Sequence, residues 1–135
     1  MAIAVSPYSI PVLVLSLKAG EDLSTYQYKF VKLSADDTVL HCDGATDKPI
    51  GILQNKPDAS GKAAEVMAIG VSLLSADEAL SFGNLVGTSA DSQGDIKTPG
   101  TDTSEYVVGM VIHGAGAAAR IATVAINCVA PHRAA

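Results

Sequence analysis

Lys48–Val71, KPIGILQNKPDASGKAAEVMAIGV, is the stretch whose reading decides the fold. Ile50 to Gln54 is a short apolar run holding a glycine, and Lys56 to Lys62 breaks it. Pro57 fixes its own φ, Asp58 and Ser60 bond their own backbone, and Gly61 tolerates a positive φ, so the break is a turn. From Ala64 to Val71 the chain resumes as a strand, with Val66, Ala68 and Gly70 facing one way and Glu65, Met67, Ile69 and Val71 the other. Both faces are largely apolar, which predicts a strand covered on both sides. Gly51 and Gly70 sit inside apolar strands, where glycine weakens the ladder unless a bulge or a close backbone approach requires it.

The same layout returns near the C-terminus. Tyr106 to His113 is an apolar run around Gly109, Gly114 to Ala119 is a break of small residues, and Arg120 to Asn127 is another strand. At one constant offset Ile50 falls on Val108, Gly51 on Gly109, Ile52 on Met110 and Val66 on Val124. The echo has two readings: a pair of similar hairpins in one β domain, or a duplication.

A chain of 135 residues is most simply one domain, burying roughly 68% of its unfolded surface. Hydrophobic residues make up 48% but aromatics only 4%, with no Trp, so the core is built from small aliphatic side chains. Such a core gives less burial per residue, and oligomerisation commonly supplies the missing stability. Net charge is −5, with nine basic residues scattered along the chain. Without a basic cluster, binding nucleic acid by phosphate neutralisation is not expected. Cys42 and Cys128 are too few for a disulfide framework and fit a reduced compartment, although spacing alone leaves their pairing open.

The N-terminal segment MAIAVSPYSIPVLVLSL has no basic n-region and is interrupted by Pro7 and Pro11. Its apolar runs fall short of the ~20 residues of a membrane helix, so neither a signal peptide nor a membrane span is expected. Met1 to Pro11 instead reads as an extended arm anchored through Ile3, Val5, Tyr8 and Ile10 on its own domain, a neighbouring subunit or another protein. Val12 to Leu17 follows as a strand, closed by a turn around Gly20. Tyr26 to Leu33, YQYKFVKL, alternates as a half-buried strand with Tyr26, Tyr28 and Phe30 on one face. Val39 to Cys42 and Leu85 to Thr88 are short strands, and Ser89 to Ser104 is a polar loop broken at most by Ile96–Thr98.

Ser75 to Phe82 is the one helix candidate. Ser75 and Glu78 satisfy the S-x-x-E capping box and Gly83 would end it; an irregular turn is the competing reading. Turn signals every eight to twelve residues predict an all-β chain, a compact antiparallel β-sandwich or barrel with an extended N-terminal arm and at most one short helix. The arm and first strand span 1–17, the β domain 18–128, and the tail 129–135, holding Pro131, is expected to fray.

No catalytic set emerges. Gly114-Ala115-Gly116 with Ala119 matches the dinucleotide fingerprint, but no acidic residue follows Ala119 to hold a ribose. Ser60-Gly61-Lys62 lacks the first glycine and the Ser/Thr of a phosphate loop. His41 and Cys42 are adjacent on a strand and point to opposite faces, so they do not converge with Cys128 and His132 on a metal. Turn chemistry accounts for Asp36-Asp37 and Asp91–Asp95. No cofactor, metal or enzymatic activity is therefore expected. The competing function is a small ligand-binding or enzymatic barrel with its site at His113 and the Gly114–Gly116 loop.

The order of features carries a resemblance. Ala19–Leu23 before an aromatic-rich strand, Gly51–Gln54 before a Pro/Gly turn, the glycine-containing strand Val66–Val71 and the late Val108–Val111 together resemble the small capsid cement (decoration) proteins of tailed bacteriophages. The resemblance covers roughly residues 18 to 127 and leaves the arm outside. It implies a homotrimeric β domain, made in the host cytoplasm and seated in the virion on the outer surface of an icosahedral head. There such proteins clamp neighbouring subunits of the major capsid protein and stabilise the shell. The arm would then bind that capsid protein or the trimer, or else complete the domain's own sheet.

Overall fold

Small and β-branched side chains carry Ala63–Ser75 through thirteen residues of uninterrupted strand, the longest element among the described residues. The computed structural model describes residues 8–135, so Ile3 and Val5 of the expected arm lie outside the described residues. Ile10, assigned to the arm from sequence, is the first residue of a strand, and Tyr8 beside it is half-buried.

The strands run in the order β1 (Ile10–Ala19), β2 (Phe30–Ala35), β3 (Thr38–His41), β4 (Gly51–Leu53) and β5 (Ala63–Ser75). The second half holds β6 (Leu85–Thr88), β7 (Gly94–Ile96), β8 (Tyr106–Val107), β9 (Gly109–His113), β10 (Ile121–Asn127) and β11 (His132–Arg133). The chain is all-β, with no helix among the described residues. Nine strands form one sheet in the order β1-β3-β2-β4-β5-β10-β9-β6-β7, and β1 also pairs with β5, which closes the first five strands into a barrel. At Ile69 to Val71, β5 is bonded to β1 on one edge and to β10 on the other. It thus closes the first barrel and opens the second, whose far strand returns to it through the parallel bridge Ala76–Gly94.

The two halves repeat each other bond for bond. Ile52 pairs with Met67 and Leu53 with Val66 in the first; Met110 pairs with Ala125 and Val111 with Val124 in the second. Leu23 N–H donates to Pro57 O at 2.8 Å, and Leu80 N–H to Ala115 O at 2.8 Å. Ala19 N–H bonds Lys62 O as Ala76 N–H bonds Arg120 O, both at 2.9 Å. Positive φ recurs in step, at Tyr28 (62°) and Gly83 (84°), Asp37 (55°) and Ser92 (67°), Gly61 (92°) and Ala119 (67°). The hairpin echo is thus one part of an internal repeat of the whole unit. Its sequence mark is Ala19-Gly20-Glu21-Asp22-Leu23 against Ala76-Asp77-Glu78-Ala79-Leu80.

Two cores follow. Leu23, Val31, Val39, Leu53 and Val66 fill the first barrel. Leu74, Val86, Val111 and Val124 fill the second, and Phe30, Ile52 and Met67 from the outside of the first join the same cluster. Burying each such side chain contributes about 1.5–3 kcal/mol. Backbone bonds from Phe30 N–H to Ser92 O and from Ser75 N–H to Tyr28 O tie the barrels further.

Three local expectations are corrected. The alternating Tyr26–Lys29 is a turn, because Tyr28 adopts φ 62° and Lys29 N–H closes on Tyr26 O at 3.0 Å; the strand starts only at Phe30. Ser75 and Glu78 form no capping box: Ser75 ends β5, and the Glu78 carboxylate accepts from Ile96 N–H at 3.1 Å. The tail does not fray, since β11 pairs with β8 and Ala134, 2% exposed, donates its N–H to Glu105 O at 3.0 Å.

Candidate interaction face

β5 shows its two faces unequally. Ala64, Val66, Ala68, Ser72 and Leu74 are buried, while Ile69, Val71 and Leu73 on the other face stay half-exposed. Side chains of directly paired residues share a face, so the registers Ile10–Val71, Val71–Ala125, Ala125–Met110 and Met110–Leu85 align five side chains in one row across five strands. Ile10 is 55% and Met110 47% exposed, and the three between and beside them are half-buried. Leu13 and Ile112 lie beside the row and are also exposed.

The face carries no formal charge. Ile10–Leu17 of β1, Met67–Ser75 of β5, Ile121–Asn127 of β10 and β9 contain no Asp, Glu, Lys or Arg. Beyond Lys18 and Ala19, which pair with β3, the outer edge of β1 meets no strand among the described residues. At the opposite end of the face a groove of about 340 Å³ opens between β6, β9 and β10, lined by Leu85, Val108, Met110, Ala125 and Ile126. Sequence reasoning missed Leu85, Val71, Met110 and Ala125; the available signal was that strands on both sides of β5 are apolar on both faces.

Charged and polar groups gather elsewhere. Tyr26 stacks on His41 with centroids 4.3 Å apart, and His41 Nδ1 meets the Glu21 carboxylate at 2.5 Å. Lys32 Nζ bridges Asp43 and Asp47, which holds its ammonium well above the usual lysine range and the Asp43 carboxyl below its own. Lys97 is fully buried, its Nζ donating to Thr88 O at 2.8 Å and pairing with Glu105 and Asp95. Glu78 is pushed above the ordinary carboxyl range by a hydrogen bond shared with Asp95 and by desolvation.

The remaining sequence candidates are not brought together. His113 is exposed at the end of β9. Gly114 lies against the Leu80 backbone, and Ala115 exchanges two backbone bonds with Leu80, so this loop is a strand-like closure of the second barrel. Cys42 and Cys128 are free and buried, and burial pushes both thiols up to about 12. Among the described residues no three His, Cys, Asp or Glu side chains converge as a metal site.

No known family model and no curated protein matches the sequence. The fold has a solved counterpart. The structure is similar to the head fiber gp8.5 N base of bacteriophage phi29, with a TM-score of 0.60 over 86% of this chain and 94% of that chain. Sequence identity is 16%, so the likeness is one of fold.

Proposed function

We propose that the chain is a structural protein of a bacteriophage virion that binds the outer surface of the head as a homotrimer and catalyses no reaction. There it clamps neighbouring major capsid subunits and so stabilises the shell. The observation that carries this reading is the fold likeness to a phage head fiber base along nearly the full length of both chains. The order of motifs from Ala19–Leu23 to Val108–Val111 supports the same assignment, as does an uncharged apolar sheet face left open by a single chain. Ile3, Val5 and Tyr8, which precede β1 in the sequence, belong to the segment we assign to the capsid clamp.

The test is direct. Purified protein is added to heads that lack it, sedimented, and the bound mass measured against the number of capsid subunits. Saturable co-sedimentation and a higher temperature of head disruption are expected. Heads that neither bind the protein nor gain stability would sink the proposal.

A further inference from the structure

We infer that β1 of one copy seats on the β6–β9–β10 end of the open face of a neighbouring copy, with Val12 entering the groove beside Met110. For the number of copies this rests on the trimer proposed above; for the residues it rests on the face itself. The strand order places the two ends of the contact at opposite margins of one sheet face, β1 at one and the groove at the other. Val12, 73% exposed, is the most exposed aliphatic side chain of β1, and the groove is lined mostly by aliphatic groups, with Asn127 and His132 as its polar members. A contact between different patches of identical chains repeats head to tail and closes into a ring when the rotation allows.

The chemistry selects a second copy over an unrelated partner. Edge strands exposed to water are normally guarded by charge, proline or a bulge; Ile10–Leu17 carries no charge, and its guards, Pro11 and the register shifts beside it, lie at one end. Interfaces with separate partners use charged rims to fix orientation, whereas obligate interfaces between copies resemble a domain core cut in half. This face is of the second kind. With a net charge of −5, copies repel each other over most of their surface; the uncharged face is where they approach at least cost.

Disulfide trapping tests it, because the native thiols are buried. The double variant Val12→Cys/Met110→Cys, oxidised mildly at micromolar concentration, is expected to give covalent chains of two and three copies on a denaturing gel. Each single variant is expected to stay monomeric on that gel. Covalent dimers from Val12→Cys alone would mean that β1 pairs with β1 about a twofold axis and would overturn the assignment, as would a double variant that does not cross-link. In parallel, Val12→Asp is expected to reduce the light-scattering mass to that of one chain with an unchanged far-ultraviolet dichroism spectrum, while Phe82→Asp, 75% exposed and in the turn before β6 rather than on a strand of the row, leaves the mass unaltered. Wild-type monomers that still bind heads would overturn this inference and the trimer it rests on, and leave the virion role standing. Cross-linked trimers that ignore heads would overturn only the virion role.

Discussion

Lys97 is the residue whose environment asks most of its neighbours. Its ammonium is withdrawn from water and satisfied by Thr88 O, Glu105 and Asp95. Removing one partner of a buried pair leaves the other charge uncompensated, which typically costs about 3–5 kcal/mol. Glu105→Ala is therefore expected to lose on the order of 3 kcal/mol, with Asp95 limiting the damage, in a denaturant titration at pH 7. Loss below about 1 kcal/mol would mean that Asp95 and Thr88 suffice. Glu78 works with the opposite sign. Its folded carboxyl titrates above the ordinary glutamate value, first through the proton shared with Asp95 and then through desolvation. A raised folded value gives stability that is complete below the unfolded value and lost as pH rises through the folded one. Glu78→Gln should consequently melt higher than wild type at pH 7.5, and the gap should close towards pH 4. A gap that widens on acidification would contradict the shared proton.

At the scale of the elements, Gly51 and Gly109 do the same work in β4 and β9. A Cβ on Gly51 would collide with Met67 O, and one on Gly109 with Ala125 O. The flanking strand cannot retreat from either, so Gly51→Ala and Gly109→Ala are each expected to cost about 1–3 kcal/mol, and by similar amounts. A tolerant Gly109 with an intolerant Gly51 would show that the repeat is not mechanical. These glycines were legible in the sequence because a glycine inside an apolar strand weakens the ladder and fits best where a second backbone comes close. Leu85–Thr88 and Ile121–Asn127 were legible for a related reason: β-branched runs bounded by turn residues leave little choice. Tyr26–Lys29 was not, because its turn is set by a backbone bond from Tyr28 N–H to Leu53 O, far along the chain. Nor was β11, which is ordered by partners far along the chain, Tyr106–Val107 beside it and Glu105 and Gly100 at Ala134. Ser75-Ala76-Asp77-Glu78 reads as a helix start in isolation and becomes a barrel corner because Ala76 is held by Arg120 O and Asp77 by Gly94 O.

For the whole molecule, the interaction face was half legible: apolar residues on both sides of Ala64–Val71 required cover, but which strands extend that face depends on registers that only the structure reveals. The repeat, too, was visible only in part, since Ala19–Leu23 and Ala76–Leu80 are polar corners rather than apolar runs. Because the second core takes in Phe30, Ile52 and Met67 of the first barrel, neither half can open alone. A single calorimetric transition with equal calorimetric and van't Hoff enthalpies is expected; two resolved transitions would show the barrels to be independent. The sharing of β5 has a further consequence under tension. In an antiparallel ladder the hydrogen bonds lie across the strand direction. A pull along β5 therefore loads its bonds to β1 on one edge and to β10 on the other in shear, many at once, instead of peeling them singly. Two barrels on a flexible tether would stretch before either felt the force. Here there is no slack to take up, and a tug on one barrel arrives at the other undiminished.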